Sequence, residues 1–270
     1  MFPAIDRYAH LDSPLHAWDP RWKLASLGVL MAAMAIPRPV TEDPRERLLA
    51  LSQVLVSFAI SLGLVHISRI PLLFALRRLV PAALFLAVFT LLYPLRPVAG
   101  AASLWGAGAW SYDAGAVVSG GAISLGALSI LLLVIPTFGT SRFDATMKAL
   151  RALRVPSPLV HVVVFAYRYI YAYADEVIRL RHAMRSRGFR GRPLGHALRT
   201  LGHALGGLLV RSVERTEGIQ RAMEARGFLG EFKTLDELET RPRDIGKCAA
   251  ILAIAAVLVA WRFLPNGIPA

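Results

Sequence analysis

This 270-residue chain lacks most of what soluble chemistry requires. It has a single cysteine, Cys248, which excludes an intrachain disulfide framework and a cysteine metal cluster. Charged residues make up only 18% of the chain and hydrophobic ones 55%, which excludes a disordered chain and argues against a plain cytosolic enzyme. No Gly-x-x-x-x-Gly-Lys-Ser/Thr motif occurs; the glycine pairs Gly120-Gly121 and Gly206-Gly207 lack the lysine. Any ATP must therefore be bound by a partner. The seven histidines are scattered. His196 and His203 share a helix face but lie two turns apart, too far to chelate one ion, and no His-x-x-x-His pair occurs. His10 and His16, with Asp12 and Asp19 nearby, read as a solvated N-terminal segment, so no metal site is expected in this chain. The first residues also lack the basic region and apolar core of a cleavable signal peptide.

What the chain does have is long apolar runs. A membrane helix needs about 20 such residues. Residues 48–67, 79–95 and 114–138 contain no Asp, Glu, Lys or Arg, and Pro81 in the first turn of the second run is tolerable in a membrane helix. Residues 24–36 are short, but Trp22 and Lys23 at one end and Arg38 at the other can anchor them as a span. Residues 248–264 form a last span, with Trp261 and Arg262 at its exit. Residues 155–173 are apolar but carry Arg168 among Tyr167, Tyr169, Tyr171 and Tyr173. A central arginine is costly in lipid, so this stretch reads as a helix at the membrane surface or packed under the bundle. The expected fold is an all-α integral membrane protein with about five transmembrane helices.

The net charge of +13 would suggest nucleic acid in a soluble protein; in one this apolar it points to basic cytoplasmic surfaces. Loops 37–47 and 94–113 are each electrically neutral, whereas Arg21 and Lys23 precede the first span and Arg69, Arg77 and Arg78 lie between the second and third. Residues 142–247 carry 20 Lys and Arg against 11 Asp and Glu. Short basic loops stay inside. The expected organisation is a cytoplasmic N-terminal segment (1–22), transmembrane helices 1–4 (23–138), a cytoplasmic module (139–247), then the last transmembrane helix and an outer tail (248–270). The chain is expected in the plasma (inner) membrane as a multi-pass protein with its N-terminus in the cytoplasm.

One internal repeat lies in that module. Arg181–Gly191 reads RHAMRSRGFRG and Gln220–Gly230 reads QRAMEARGFLG, with six of eleven positions identical at an offset of 39. Each copy ends an amphipathic helical pattern: Tyr173, Val177, Leu180 and Met184 in the first, and Leu209, Val213, Thr216 and Met223 in the second. Gly188 and Gly227 fall where a glycine caps a helix C-terminus, with Phe189 and Phe228 positioned to close the cap. Arg187 and Arg226 suit the last turn of a helix. A good helix stop used twice accounts for part of this. Two such ends, each presenting an arginine, also suit docking onto a partner present in two copies. Guanidinium forks bond carboxylates and backbone carbonyls and keep their charge when partly buried.

The paired Ser186-Arg187-Gly188 and Ala225-Arg226-Gly227 resemble the two X-Arg-Gly motifs of the transmembrane T component of energy-coupling factor (ECF) transporters. The opening Ile5-Asp6-Arg7-Tyr8-Ala9 and Asp19-Pro20-Arg21-Trp22-Lys23 are similar to its cobalt-type branch, CbiQ. The resemblance implies a non-catalytic subunit of an ATP-driven importer, most readily for cobalt, with a shared T component for vitamin uptake as the alternative. It implies two copies of a cytoplasmic ATP-binding-cassette ATPase, which bind ATP and magnesium, and a substrate-capturing membrane subunit, which binds the metal ion. It also implies two long coupling helices that cross, with Arg187 and Arg226 each entering a groove on one ATPase. Ser186 stands where alanine is common in the family.

Gly115, Ser119, Ala122, Gly126 and Ser129 form a stripe of small residues. Such a stripe serves either packing within the subunit or a sliding surface for the substrate-capturing protein. Gly202 and Gly206 repeat the spacing and suggest a close helix crossing. A self-sufficient secondary transporter would place ionisable groups or broken paired repeats near the bilayer midplane. The charge-free runs at 48–67, 79–95 and 114–138 argue against that reading. A membrane enzyme would need convergent polar groups, and only Arg168, Asp175 and Glu176 offer any.

Overall fold

The computed structural model describes residues 13–36, 44–97, 110–112, 114–189, 195–228, 230, 240 and 242–262. The described elements are α1 (Pro20–Met34), α2 (Pro44–Ile67), α3 (Leu72–Leu92), β1 (Leu95–Pro97), β2 (Trp110–Tyr112), α4 (Ala114–Gly139), α5 (Phe143–Ala152), α6 (Ser157–Ser186), α7 (Gly195–Ala225) and α8 (Pro242–Arg262). The two three-residue strands pair antiparallel, Leu95 opposite Tyr112, and the rest of the described fold is helical. The chain divides into two compact units, one of Met1–Leu153 with Leu238–Ala270, the other Arg154–Glu237.

In the first unit α4 is central, packing on α1, α2 and α3, while α8 packs on α1. Two adjacent leucines of α4 serve two cores. Leu133 joins Leu27, Leu30, Ile251 and Leu258 from α1 and α8, and Leu132 joins Val65, Ala75 and Leu79 from α2 and α3. Between α3 and α4, Thr90 Oγ1 and Ser124 Oγ lie 2.7 Å apart, and Gly120 allows Tyr93 to approach. Across α2 and α8, Gln53 Nε2 donates to the Leu258 carbonyl at 3.2 Å. Such interhelical hydrogen bonds supply part of the cohesion that apolar burial cannot supply between helices in lipid.

Among the described residues four helices are long and apolar enough to cross a membrane, within Arg47–Ile67, Leu72–Leu92, Ala116–Gly139 and Pro242–Trp261. Five were expected from the sequence, and the difference is α1. Its 15 residues rise only about 22 Å, short of the roughly 30 Å hydrocarbon core. One face of it is buried, with Leu27 and Leu30 fully covered, and its neighbours are α8, α4 and α5. Asp19 caps its start by accepting from the Arg21 N–H at 2.9 Å, with Pro20 as its first residue. Lys23, expected as an anchor at the membrane surface, is fully buried instead. Its ammonium donates to Thr140 Oγ1 at 2.9 Å and to the Leu15 carbonyl at 3.4 Å. The preceding segment is packed into the same core through Leu15 and Trp18, so the lysine is covered.

A second difference concerns α3, which begins seven residues before the charge-free run. Arginine is a good helix former, so the helix extends past the apolar stretch, and Arg77 and Arg78 lie on it rather than in a loop. The turn before it, Ser68 to Pro71, is closed by Arg69 at φ 57°. The same pattern, an arginine at positive φ (Arg154, 66°) followed by a β-branched residue and proline, joins α5 to α6. The division between the compact units falls at Leu153/Arg154, because α5 packs on α1.

In the second unit α6 is one helix of 30 residues. It joins the apolar stretch with Arg168 and the amphipathic run ending at Met184, and it is not among the four membrane-length apolar helices.

Candidate functional site

The two repeated segments end α6 and α7 in the same way. At the first, the Phe189 N–H donates to the Met184 carbonyl at 3.0 Å and the Gly188 N–H to the Arg185 carbonyl at 3.0 Å. At the second, the Phe228 N–H donates to Met223 at 3.0 Å and the Gly227 N–H to Glu224 at 2.9 Å. These are paired Schellman closures, with Gly188 and Gly227 at φ +82° and +75°, where a side chain would be strained. The motif has a further requirement, a hydrophobic pair between the residue after the glycine and the one three positions before the cap. Met184 with Phe189, and Met223 with Phe228, occupy those positions, and all four are half-buried. Helix termination therefore accounts for Met, Gly and Phe in the repeat. It does not account for Arg187 and Arg226, which occupy the cap position itself. Both are exposed, and neither pairs with a described side chain. Ser186, beside the first, returns its hydroxyl to the His182 carbonyl; Ala225 holds the equivalent place beside the second.

Helices α6 and α7 pair lengthwise and antiparallel. His161 faces Phe228 at 6.4 Å between ring centroids, the Arg215 guanidinium lies 5.8 Å over the Tyr169 ring, and Arg211 bonds Glu176 at 3.1 Å. Further along, Val177, Leu180 and Met184 share a groove of about 510 Å³ with Leu201, Leu205 and Leu208, and Arg181 and Arg185 also line it. These side-chain contacts follow an antiparallel order along the two helices. The arginine motifs consequently sit at opposite ends of the pair. Arg226 lies next to the start of α6 and Arg187 at its finish, about 26 residues on, or roughly 40 Å.

Gly202 and Gly206, expected to mark a close crossing, do not: a Cβ at either would meet nothing within 4 Å. The small-residue stripe runs along α4 from Gly115, at the helix start. Ala122 and Ser129 are buried inside the first unit, and Ser119 and Gly126 are half-buried. The close approach in α4 is made by Gly120, off that stripe, where a Cβ would lie 3.1 Å from the Tyr93 Cβ. Its sequence signal, the Gly120-Gly121 pair, weighs only against a phosphate loop until the neighbouring Tyr93 is known. Among the described residues no group of three or more His, Cys, Asp or Glu side chains converges on a point.

The description of the family whose model matches residues 12–235 is "Cobalt transport protein", CbiQ. The chain is 31% identical over 101 residues to the cobalt transport protein CbiQ of Rhodobacter capsulatus, covering 36% of this chain and 38% of that protein. It is 28% identical over 207 residues to the energy-coupling factor transporter transmembrane protein EcfT of Exiguobacterium sibiricum, covering 72% and 78%. It is 25% identical over 123 residues to the nickel permease LarQ of Lactiplantibacillus plantarum, covering 46% and 44%. The matched stretch thus spans only about two fifths of the length of CbiQ and LarQ, but most of EcfT.

Proposed function

The chain belongs to the CbiQ cobalt transport protein family, a family of multi-pass membrane transport subunits, and from that membership we propose that it couples two ATPases to uptake. In this reading Arg187 and Arg226 each dock in a groove on one of two copies of a cytoplasmic ATP-binding-cassette ATPase. The ATPases bind ATP and magnesium. A separate membrane subunit captures the substrate, and the first compact unit of this chain holds it in the bilayer. The chain itself is not an enzyme.

The observation that carries the reading is the pair of identically closed helix ends at opposite ends of an antiparallel pair. Each presents an exposed arginine that helix termination does not require. An arginine at a helix cap has its guanidinium free for a bidentate bond to a carboxylate, or for bonds to backbone carbonyls. The roughly 40 Å between the two ends gives each ATPase copy its own docking point. Closure of the ATPase pair around ATP would move both ends together and shift the substrate subunit. The stripe Gly115, Ser119, Ala122, Gly126 and Ser129 is assigned to helix packing at Ala122 and Ser129, leaving its half-buried members for the substrate subunit.

Cobalt is the proposed substrate on the family's description, with nickel second because LarQ is a nickel permease and a shared vitamin importer third. The proposed orientation puts the N-terminus and the second unit, with its 14 Lys and Arg against 8 Asp and Glu, on the cytoplasmic side of the plasma (inner) membrane. The test is an Arg187→Ala, Arg226→Ala double variant in cells carrying the complete transporter. Radiolabelled cobalt uptake is expected to fall to background, while the variant still elutes as a folded, monodisperse membrane protein. Uptake at the wild-type rate would remove the coupling role.

A further inference from the structure

From the start of α3 we infer a binding site for the phosphate of an anionic phospholipid, built on Arg77 and Arg78. Both side chains are exposed, on a helix that buries little of itself: Leu73, Leu76, Val80 and Leu84 around them are exposed as well. Only 11% of the apolar window of α3 is covered by the rest of the protein, the least of the four membrane-length helices. Two guanidinium groups on such a face cannot shed their charge and need an anion.

Among the described residues no acid pairs with either arginine. From Arg47 to Tyr112 the sequence contains no Asp or Glu. Helix α3 packs on α4, which has no acid, and on α2, whose acid Glu46 lies in the first turn, at the far end from the α2–α3 turn. Asp144, in the first turn of α5, forms no ion pair with either arginine. No described side chain supplies the counter-charge, which the phosphate of an anionic lipid can.

Depth favours lipid. Arg77 is five residues past Leu72, about 7.5 Å into a helix of about 31 Å. Helical side chains lean toward the N-terminus, and an arginine stem snorkels several ångströms further, which brings the guanidinium to the level of the lipid phosphates. The basic-loop rule puts this end in the cytoplasmic leaflet, where anionic lipids attract arginine. The adjoining turn adds His66 and Arg69, which line an open cleft of about 570 Å³ with Pro14 and Leu72.

The test is native mass spectrometry of the full chain in detergent with equimolar phosphatidylglycerol and phosphatidylcholine. The wild type should retain phosphatidylglycerol in roughly tenfold preference. Arg77→Gln with Arg78→Gln should abolish the preference, Arg77→Lys with Arg78→Lys should keep most of it, and Arg151→Gln should leave it unchanged. The folded state of each variant is read from its elution and melting. Equal retention of both lipids by the wild type would overturn the proposal. So would a preference surviving in the folded glutamine variant, or a lysine variant that folds yet shows none. Millimolar inorganic phosphate separates a free phosphate from a headgroup: displacement of the lipid by phosphate would overturn the lipid assignment, and retention supports it.

Discussion

The two compact units spend their apolar residues differently. The first exposes the apolar faces of its membrane-length helices, as at Leu76, Leu84 and Phe85, but also buries other large side chains completely, as at Leu27, Leu30, Leu132 and Leu133. In the second, Leu198, Leu205 and Leu209 are 68%, 61% and 66% exposed, and the one buried hydrophobic residue of α6 is Val160. The first unit is held by its own packing. The second is a pair of long helices joined by a few ring and charge contacts, and its exposed apolar area suits the partner surface proposed above. The proposed coupling role needs both, a fixed frame and a surface that other subunits move.

The sharpest way to break that contrast is to truncate one leucine in each unit. Leu27→Ala should destabilise the isolated chain by about 2–5 kcal/mol, because a fully buried site leaves a cavity. Leu209→Ala should change it by under about 0.5 kcal/mol and weaken only assembly. Unfolding in mixed micelles measures the first effect and pull-down of partner subunits the second. Equal losses of stability would mean that the second unit also has a core of its own.

A smaller effect separates glycines that packing requires from glycines it does not. Gly120→Ala forces a Cβ against Tyr93 and should cost about 1–3 kcal/mol, whereas Gly126→Ala meets open space and should be neutral or slightly stabilising. Thermal unfolding of the two variants in the same detergent gives the comparison. Gly188→Ala and Gly227→Ala should each cost about 1 kcal/mol for a left-handed residue bearing a side chain. Amide exchange should quicken in the last turn of α6 or α7 alone, leaving α1 and α4 protected.

The sequence reveals features that depend on local pattern. Runs without charge locate α4 and most of α2, and the repeated Met, Arg, Gly and Phe locate both helix ends with the correct cap glycines; α8, like α3, starts before its charge-free run, at Pro242 and not at Cys248. Features that depend on a distant neighbour are not legible. A lysine beside a tryptophan before an apolar run looks the same whether it meets headgroups or, like Lys23, Thr140 from 117 residues away. The start of α3 is misplaced because charge marks the limit of an apolar run, while helix propensity carries the helix on through Arg77 and Arg78. Gly202 and Gly206 share the spacing of a packing seam, yet spacing does not say whether another helix is there. At the proposed docking site, the repeat itself is plain from sequence. Only the hydrogen bonds divide it into residues that stop a helix and an arginine left over.

The central proposal is that the two leftover arginines meet two copies of the same ATPase. A photo-cross-linking residue placed at 187, at 226, and at both, in the complete membrane-embedded transporter, tests this directly. An adduct with one ATPase is expected from either single position, and from the double variant a product containing this chain and two ATPases. Adducts from both positions to membrane subunits or lipid alone would contradict it.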